Sequence, residues 1–185
     1  MSKRKKILKF LVKFFGAYFL FFGIYSYYLF STQKKVQKFE CSPITYGVAE
    51  QTISVLTFFG YDVKLEQHTE ELSIKLLFDD VYLARVIEGC NSLSVIILFV
   101  SLIIAFSGSF WKTLFFALFG SVVIYCLNIL RISFLTVALA KFPEQKEILH
   151  NLVFPSLIYG LVFLLWVIWV NYFSNYNENR NEKNN

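Results

Sequence analysis

The sequence predicts an all-α, polytopic integral membrane protein with about four transmembrane helices and one long extracytoplasmic loop. Two observations carry that expectation. Hydrophobic residues make up 56% of the 185, aromatics 19%, and Phe alone accounts for 22, a load that soluble domains of this size do not carry. The apolar residues also gather into four stretches, roughly 10–30, 93–110, 113–130 and 152–173. At about 1.5 Å per helical residue such lengths approach ~30 Å of hydrocarbon, and continuous apolar runs favour helices over barrel strands.

The first stretch follows Lys3-Arg4-Lys5-Lys6, with Lys9 and Lys13 in its opening turns. A cleaved signal peptide is the alternative, but the uncharged core from Phe14 to Phe30 is long and bulky. It contains Tyr25-Ser26-Tyr27-Tyr28 near its end, not the small residues that suit a peptidase. Residues 1–30 therefore read as a basic cytoplasmic N-terminus and a retained anchor. Of the 18 Lys and Arg, nine fall on each side of the membrane in this topology, so orientation rests on the N-terminal cluster.

Residues 31–89 form the extracytoplasmic loop. Within it, residues 45–60 carry Val48, Ile53, Leu56 and Phe59 at helix-like spacing, as an amphipathic helix on the membrane surface does. After the turn Gly60-Tyr61-Asp62, the runs Val63-Lys64-Leu65 and Leu72-Ser73-Ile74-Lys75-Leu76 alternate like short strands, and residues 81–87 suit a third. A loop of this size caps a site and builds no large core of its own. Residues 90–173 hold the other three spans, with Trp166, Trp169 and Tyr172 marking the opposite interface, and residues 174–185 form a polar cytoplasmic tail.

Three polar residues sit at the edges of three spans: Cys90 in Glu88-Gly89-Cys90-Asn91-Ser92, Arg131 in Asn128-Ile129-Leu130-Arg131, and His150 in His150-Asn151. Cys90 opens the second span, Arg131 closes the third and His150 precedes the fourth, so alternating spans bring all three to one face whichever way the protein inserts. A nucleophile, a permanent cation and an imidazole at one membrane surface make a candidate active site. Each has a plain structural reading as well: a small residue at a helix start, a snorkelling anchor, a helix cap. Asn128, one turn before Arg131, is placed to orient the guanidinium, whereas Glu88 offers a carboxylate that pairs with it instead. Cys126 reads as a buried apolar thiol, and a Cys41–Cys90 disulfide is an alternative use of Cys90.

These motifs resemble, in order and context, those of the exosortase/archaeosortase family of membrane sorting enzymes, over roughly residues 87–169, and the short chain is similar to the exosortase F type of bacteria. The resemblance implies a catalytic membrane core at residues 90–173 and a multi-pass protein of the bacterial inner membrane with its active site at the extracytoplasmic face. It also implies a cysteine peptidase/transpeptidase that processes C-terminal sorting tails of exported proteins. In that chemistry Cys90 attacks a peptide carbonyl, His150 moves the proton and Arg131 stabilises the oxyanion, with Glu88, Asn91 and Asn128 in support. Two departures stand out. The family pattern often has Gly two positions after the cysteine, where this chain has Ser92, and longer members have about eight spans. The second departure implies either a reduced core or a companion membrane protein.

The expected partners are exported proteins with hydrophobic C-terminal tails and the membrane lipids. A net charge of +5 follows from the anchor and the loop, and no basic stripe points to nucleic acid. No CxxC or HExxH occurs and the two histidines are far apart, so neither a metal nor another cofactor is expected. A non-catalytic membrane subunit or assembly factor of a cell-envelope export system is the rival reading, with Ser101, Gly120, Ser121 and Asn128 as helix-contact residues. A cysteine enzyme transferring another acyl group is a second.

Overall fold

The structure, a computed structural model, describes residues 3–33, 39–78, 81–106, 108–142, 144, 148 and 152–173. It is a mostly helical, polytopic membrane architecture. The helices are α1 (Lys3–Thr32), α2 (Pro43–Phe58), α3 (Leu93–Ala105), α4 (Phe110–Lys141) and α5 (Phe154–Ile168), which continues as a π-helical turn over Trp169–Phe173. Three strands, β1 (Val63–Gln67), β2 (Ser73–Phe78) and β3 (Val81–Ile87), lie between α2 and α3.

Among the described residues, three helical segments are long and apolar enough to cross a bilayer: Ile7–Thr32, Phe110–Lys141 and Pro155–Phe173. The expected second span is shorter than its apolar run suggests. α3 has 13 residues, about 20 Å of helix, and the chain leaves the helix before Gly108. The third is longer than expected. α4 has 32 residues and continues ten positions beyond Arg131, because Ile132, Leu135, Ala138 and Leu139 extend a buried stripe at helical spacing.

Two compact units divide the chain. The first comprises residues 1–25, 93–124 and 159–185. Its core is built from Phe99, Ile103, Ala117, Ile124, Val162, Leu165 and Trp169. Gly120 is required there, because a Cβ on it would lie 2.3 Å from the Phe99 ring. Trp169 is fully buried, and its indole N–H donates to the Phe106 carbonyl at the end of α3 over 3.2 Å. A buried indole N–H needs such a partner, and the bond also satisfies a carbonyl that the end of α3 leaves open. On α1, Phe10, Phe14, Tyr18 and Phe22 stack at four-residue spacing, with centroids 6.1, 6.1 and 5.8 Å apart.

The second unit comprises residues 26–92 and 125–158. Its sheet is antiparallel in the order β1-β2-β3. The register pairs Leu65 with Leu76 and Ile74 with Val86, so inward residues meet on one face. α2 buries Thr45, Val48, Ala49, Thr52 and Leu56, and the core joins Val48, Ala49 and Leu56 to Val63, Ile74, Leu76, Val86 and Ile132 of α4. The expected amphipathic helix is thus a helix packed on a sheet, while Phe58 and Phe59 at its end stay exposed. The strands make this possible, since three strands and a helix bury a common face that a lone helix would leave to the membrane.

Candidate active site

The second unit holds a hydrogen-bonded frame around Cys90. β3 ends at Ile87, Glu88–Cys90 form one 3-10 turn, and α3 starts at Leu93. Ser42 caps α2 with Pro43 in the first turn, the sequence pattern that starts helices. The same helix start receives Glu88: its carboxylate accepts from the Ser42 backbone N–H at 2.6 Å, the Ser42 hydroxyl at 2.8 Å and the Thr45 hydroxyl. A carboxylate at a helix N-terminus also gains from the positive end of the helix dipole. Asn91 donates its side-chain amide to the Thr45 hydroxyl over 3.0 Å. The residues two before and one after Cys90 are therefore tied to one point.

From the other side, α4 presents Asn128 and Arg131 three residues apart, on one helix face. The Asn128 amide nitrogen donates to the Cys90 carbonyl oxygen at 2.7 Å, and its oxygen accepts from Arg131 Nη1 at 3.4 Å. A carbonyl can only accept and a guanidinium can only donate, so the amide orientation follows from its two partners. Asn91 and Asn128 are each only 1% exposed, which makes these bonds expensive to lose. The half-buried Cys90 packs against the core of the unit, as does Cys41.

Ser92 has φ +63°, the left-handed region that glycine adopts at least cost. Here the Ser92 hydroxyl donates to the Asn91 carbonyl at 2.6 Å. The turn into α3 thus keeps a glycine-like backbone without the glycine.

The structure brings Cys90, Asn91, Asn128 and Arg131 into one frame. Glu88 joins it through Ser42 and Thr45, and not through Arg131. His150 lies outside the described residues. Cys126, expected to be buried, is exposed on α4, because its helix position points away from the stripe that Ile124 and Asn128 bury. All three cysteines are free thiols, including Cys41 and Cys90. Among the described residues no cluster of His, Cys, Asp and Glu could hold a metal ion. Ser42 and Thr45 were not singled out by sequence reasoning, although Ser42-Pro43 is a recognisable helix start.

Burial holds the Cys41 thiol above its ordinary value; the Gln67 amide, 3.9 Å from the sulfur, pulls the other way, and the Glu88 charge adds to the rise. Cys41 accordingly carries less thiolate at a given pH than an ordinary exposed cysteine.

A family model described as transmembrane exosortase (Exosortase_EpsH) matches residues 7–173. No curated protein and no solved structure matches the chain. The match takes in α1, the sheet unit, the Cys90 turn and the helix that carries Asn128 and Arg131, so it covers far more than half of the chain. The protein belongs to the transmembrane exosortase family.

Proposed function

We propose that this protein is a membrane-embedded cysteine transpeptidase, of the F type within its family, that processes C-terminal sorting tails of exported proteins at the extracytoplasmic face of the bacterial inner membrane. The observation that carries the reading is the hydrogen-bonded line from Arg131 through Asn128 to Cys90. It ties the turn bearing a thiol to the helix bearing a permanent cation.

In this mechanism the Cys90 sulfur bonds to the carbonyl carbon of the scissile peptide while His150 takes the thiol proton. The oxygen becomes an oxyanion that accepts N–H bonds from Arg131, whose several planar donors suit a carbonyl oxygen. The C–N bond then breaks, the imidazolium returns the proton to the departing amine, and a thioacyl enzyme remains. An acceptor amine or water attacks that carbonyl, the C–S bond breaks, and the thiol is restored. Asn128 is a positioning residue, since it holds the Cys90 backbone and the guanidinium together. A tail with its own hydrophobic helix reaches such a site by diffusion in the bilayer.

The test is mass spectrometry of exported proteins from cells carrying the wild-type protein, Cys90→Ala or Cys90→Ser. The proposal expects truncated C-termini with the wild type alone. A scaffold or assembly factor keeps working in either variant, and product mass separates peptide cleavage from transfer of another acyl group.

A further inference from the structure

One hydroxyl oxygen meets both flanks of the Cys90 turn. Thr45, in the first turn of α2 and fully buried, donates its proton to Glu88 Oε2 and accepts from the Asn91 side-chain amide at 3.0 Å. Chemistry forces these directions. A carboxylate oxygen only accepts and an amide nitrogen only donates, so the single Thr45 proton goes to Glu88 and a lone pair is left for Asn91. Ser42 supports the same arrangement: its hydroxyl donates to Glu88 Oε2 at 2.8 Å, and its oxygen accepts from the Thr45 backbone N–H at 3.4 Å. Removing the Thr45 hydroxyl while keeping the shape of the side chain takes one donor from Glu88 and leaves the buried Asn91 amide without this acceptor.

Both losses fall on the single turn Glu88–Cys90 and the residue that follows it, and they reach the thiol through the backbone. Rates are sensitive to such shifts, since a misplacement of ~1 Å costs roughly 10²-fold. We infer that Thr45 is a positioning residue for Cys90, which fixes the direction in which the turn presents the thiol by holding Glu88 and Asn91 on one oxygen. It acts through those two residues and not on the sulfur itself. Its effect on rate rests on the transpeptidase reading, while its effect on the turn is measurable without catalysis. Thr52 supplies a matched contrast. It is equally buried on α2, but its hydroxyl donates to the Val48 carbonyl at 2.8 Å, a bond that stays within the helix.

The experiment compares full-length Thr45→Val, Thr45→Ser and Thr52→Val proteins with the wild type in lipid nanodiscs. Hydrogen–deuterium exchange is expected to rise on the order of tenfold at residues 88–92 in Thr45→Val, to stay at the wild-type rate in Thr45→Ser, and to stay there in Thr52→Val even where that change lowers the melting temperature. Processing of an exported protein whose C-terminus the wild type shortens gives the second reading. Thr45→Val should lose on the order of tenfold or more at saturating substrate with KM within about twofold, because Thr45 does not bind the substrate. Thr45→Ser should restore the rate, and Thr52→Val should leave it unchanged. If Thr45→Val does not fold, Thr45→Ala read against Thr52→Ala makes the same comparison. Exchange and rate in Thr45→Val equal to those of Thr52→Val, or a Thr45→Ser protein as impaired as Thr45→Val, overturn the role. Faster exchange in Thr45→Val with no processing by the wild type keeps the positioning and removes the transpeptidase reading; wild-type processing with unaltered exchange in Thr45→Val does the reverse.

Discussion

The amide of Asn128 donates to the backbone carbonyl of Cys90 across 38 residues of sequence at 2.7 Å, and it does so from a side chain that is 1% exposed. The bond fixes the turn that carries the thiol against the helix that carries Arg131. Asn128→Ala leaves a buried carbonyl without its donor, at a cost of about 1–3 kcal/mol. Asn128→Asp replaces the donor with an acceptor facing an acceptor and is the more damaging change at neutral pH. Thermal melts should order the proteins wild type, Asn128→Ala, Asn128→Asp, with tail processing falling in the same order. Unchanged stability and processing in Asn128→Asp would remove Asn128 from its positioning role.

Arg131 holds Asn128 through one N–H and, in the proposed mechanism, an oxyanion through others. An ammonium supplies charge without the planar fork, so Arg131→Lys should insert and fold normally yet lose processing by roughly 10²–10³-fold, the cost of a missing oxyanion donor. Single-turnover kinetics give the answer: wild-type rates in the lysine variant would reduce Arg131 to an electrostatic anchor.

The left-handed backbone at Ser92 makes a different prediction, about stability alone. Ser92→Gly occupies the same φ without a Cβ penalty and should keep or raise the melting temperature. Ser92→Val places a β-branched residue in a region it avoids and should cost about 1–3 kcal/mol. A valine protein as stable as wild type would contradict the φ of +63°.

What the sequence revealed and what it concealed divide along physical lines. The spans were legible because hydropathy is local, and the Asn128–Arg131 pair was legible because three-residue spacing puts two side chains on one helix face. The end of α4 was misplaced because an Arg after an apolar run looks like a membrane boundary, whereas Ile132, Leu135 and Leu139 continue the buried stripe. Charge alone offers Arg131 as one possible partner for Glu88. Its actual partners, Ser42 and Thr45, lie more than forty residues away, and only the fold brings a helix start to that carboxylate. The Trp169 bond to Phe106 was hidden for the same reason, since the two are 63 residues apart. Local periodicity carries no information about such pairings.

Gly120 and Phe99 offer a packing test within the first unit. A Cβ at residue 120 would meet the Phe99 ring at 2.3 Å, closer than any real contact, so Gly120→Ala forces the ring or the helix to move. Overpacking of this kind costs about 1–3 kcal/mol. Phe99→Leu should recover part of the loss when combined with Gly120→Ala, a coupling that a double-mutant cycle measures directly. Purely additive effects would mean that the two residues do not touch.

The three cysteines report topology and environment in one labelling experiment. Cys41 is held above its ordinary thiol value chiefly by burial, so it carries less thiolate than an exposed cysteine at any given pH and should alkylate slowly near neutrality. Glu88→Gln should speed that reaction and Gln67→Leu should slow it, because the carboxylate raises the thiol's proton affinity and the amide lowers it. The sign for stability follows: a group that holds its proton more tightly when folded contributes fully below the unfolded thiol value, and the contribution is lost as pH rises through the folded one. Cys126 is exposed on α4 but lies within the apolar span, so a membrane-impermeant maleimide should spare it while a lipid-soluble one labels it. Cys90 should react with the impermeant reagent in intact spheroplasts, at the face where exported chains emerge. Labelling of Cys90 only after the membrane is opened would put the Cys90 turn on the cytoplasmic side and end the proposal that it processes exported tails.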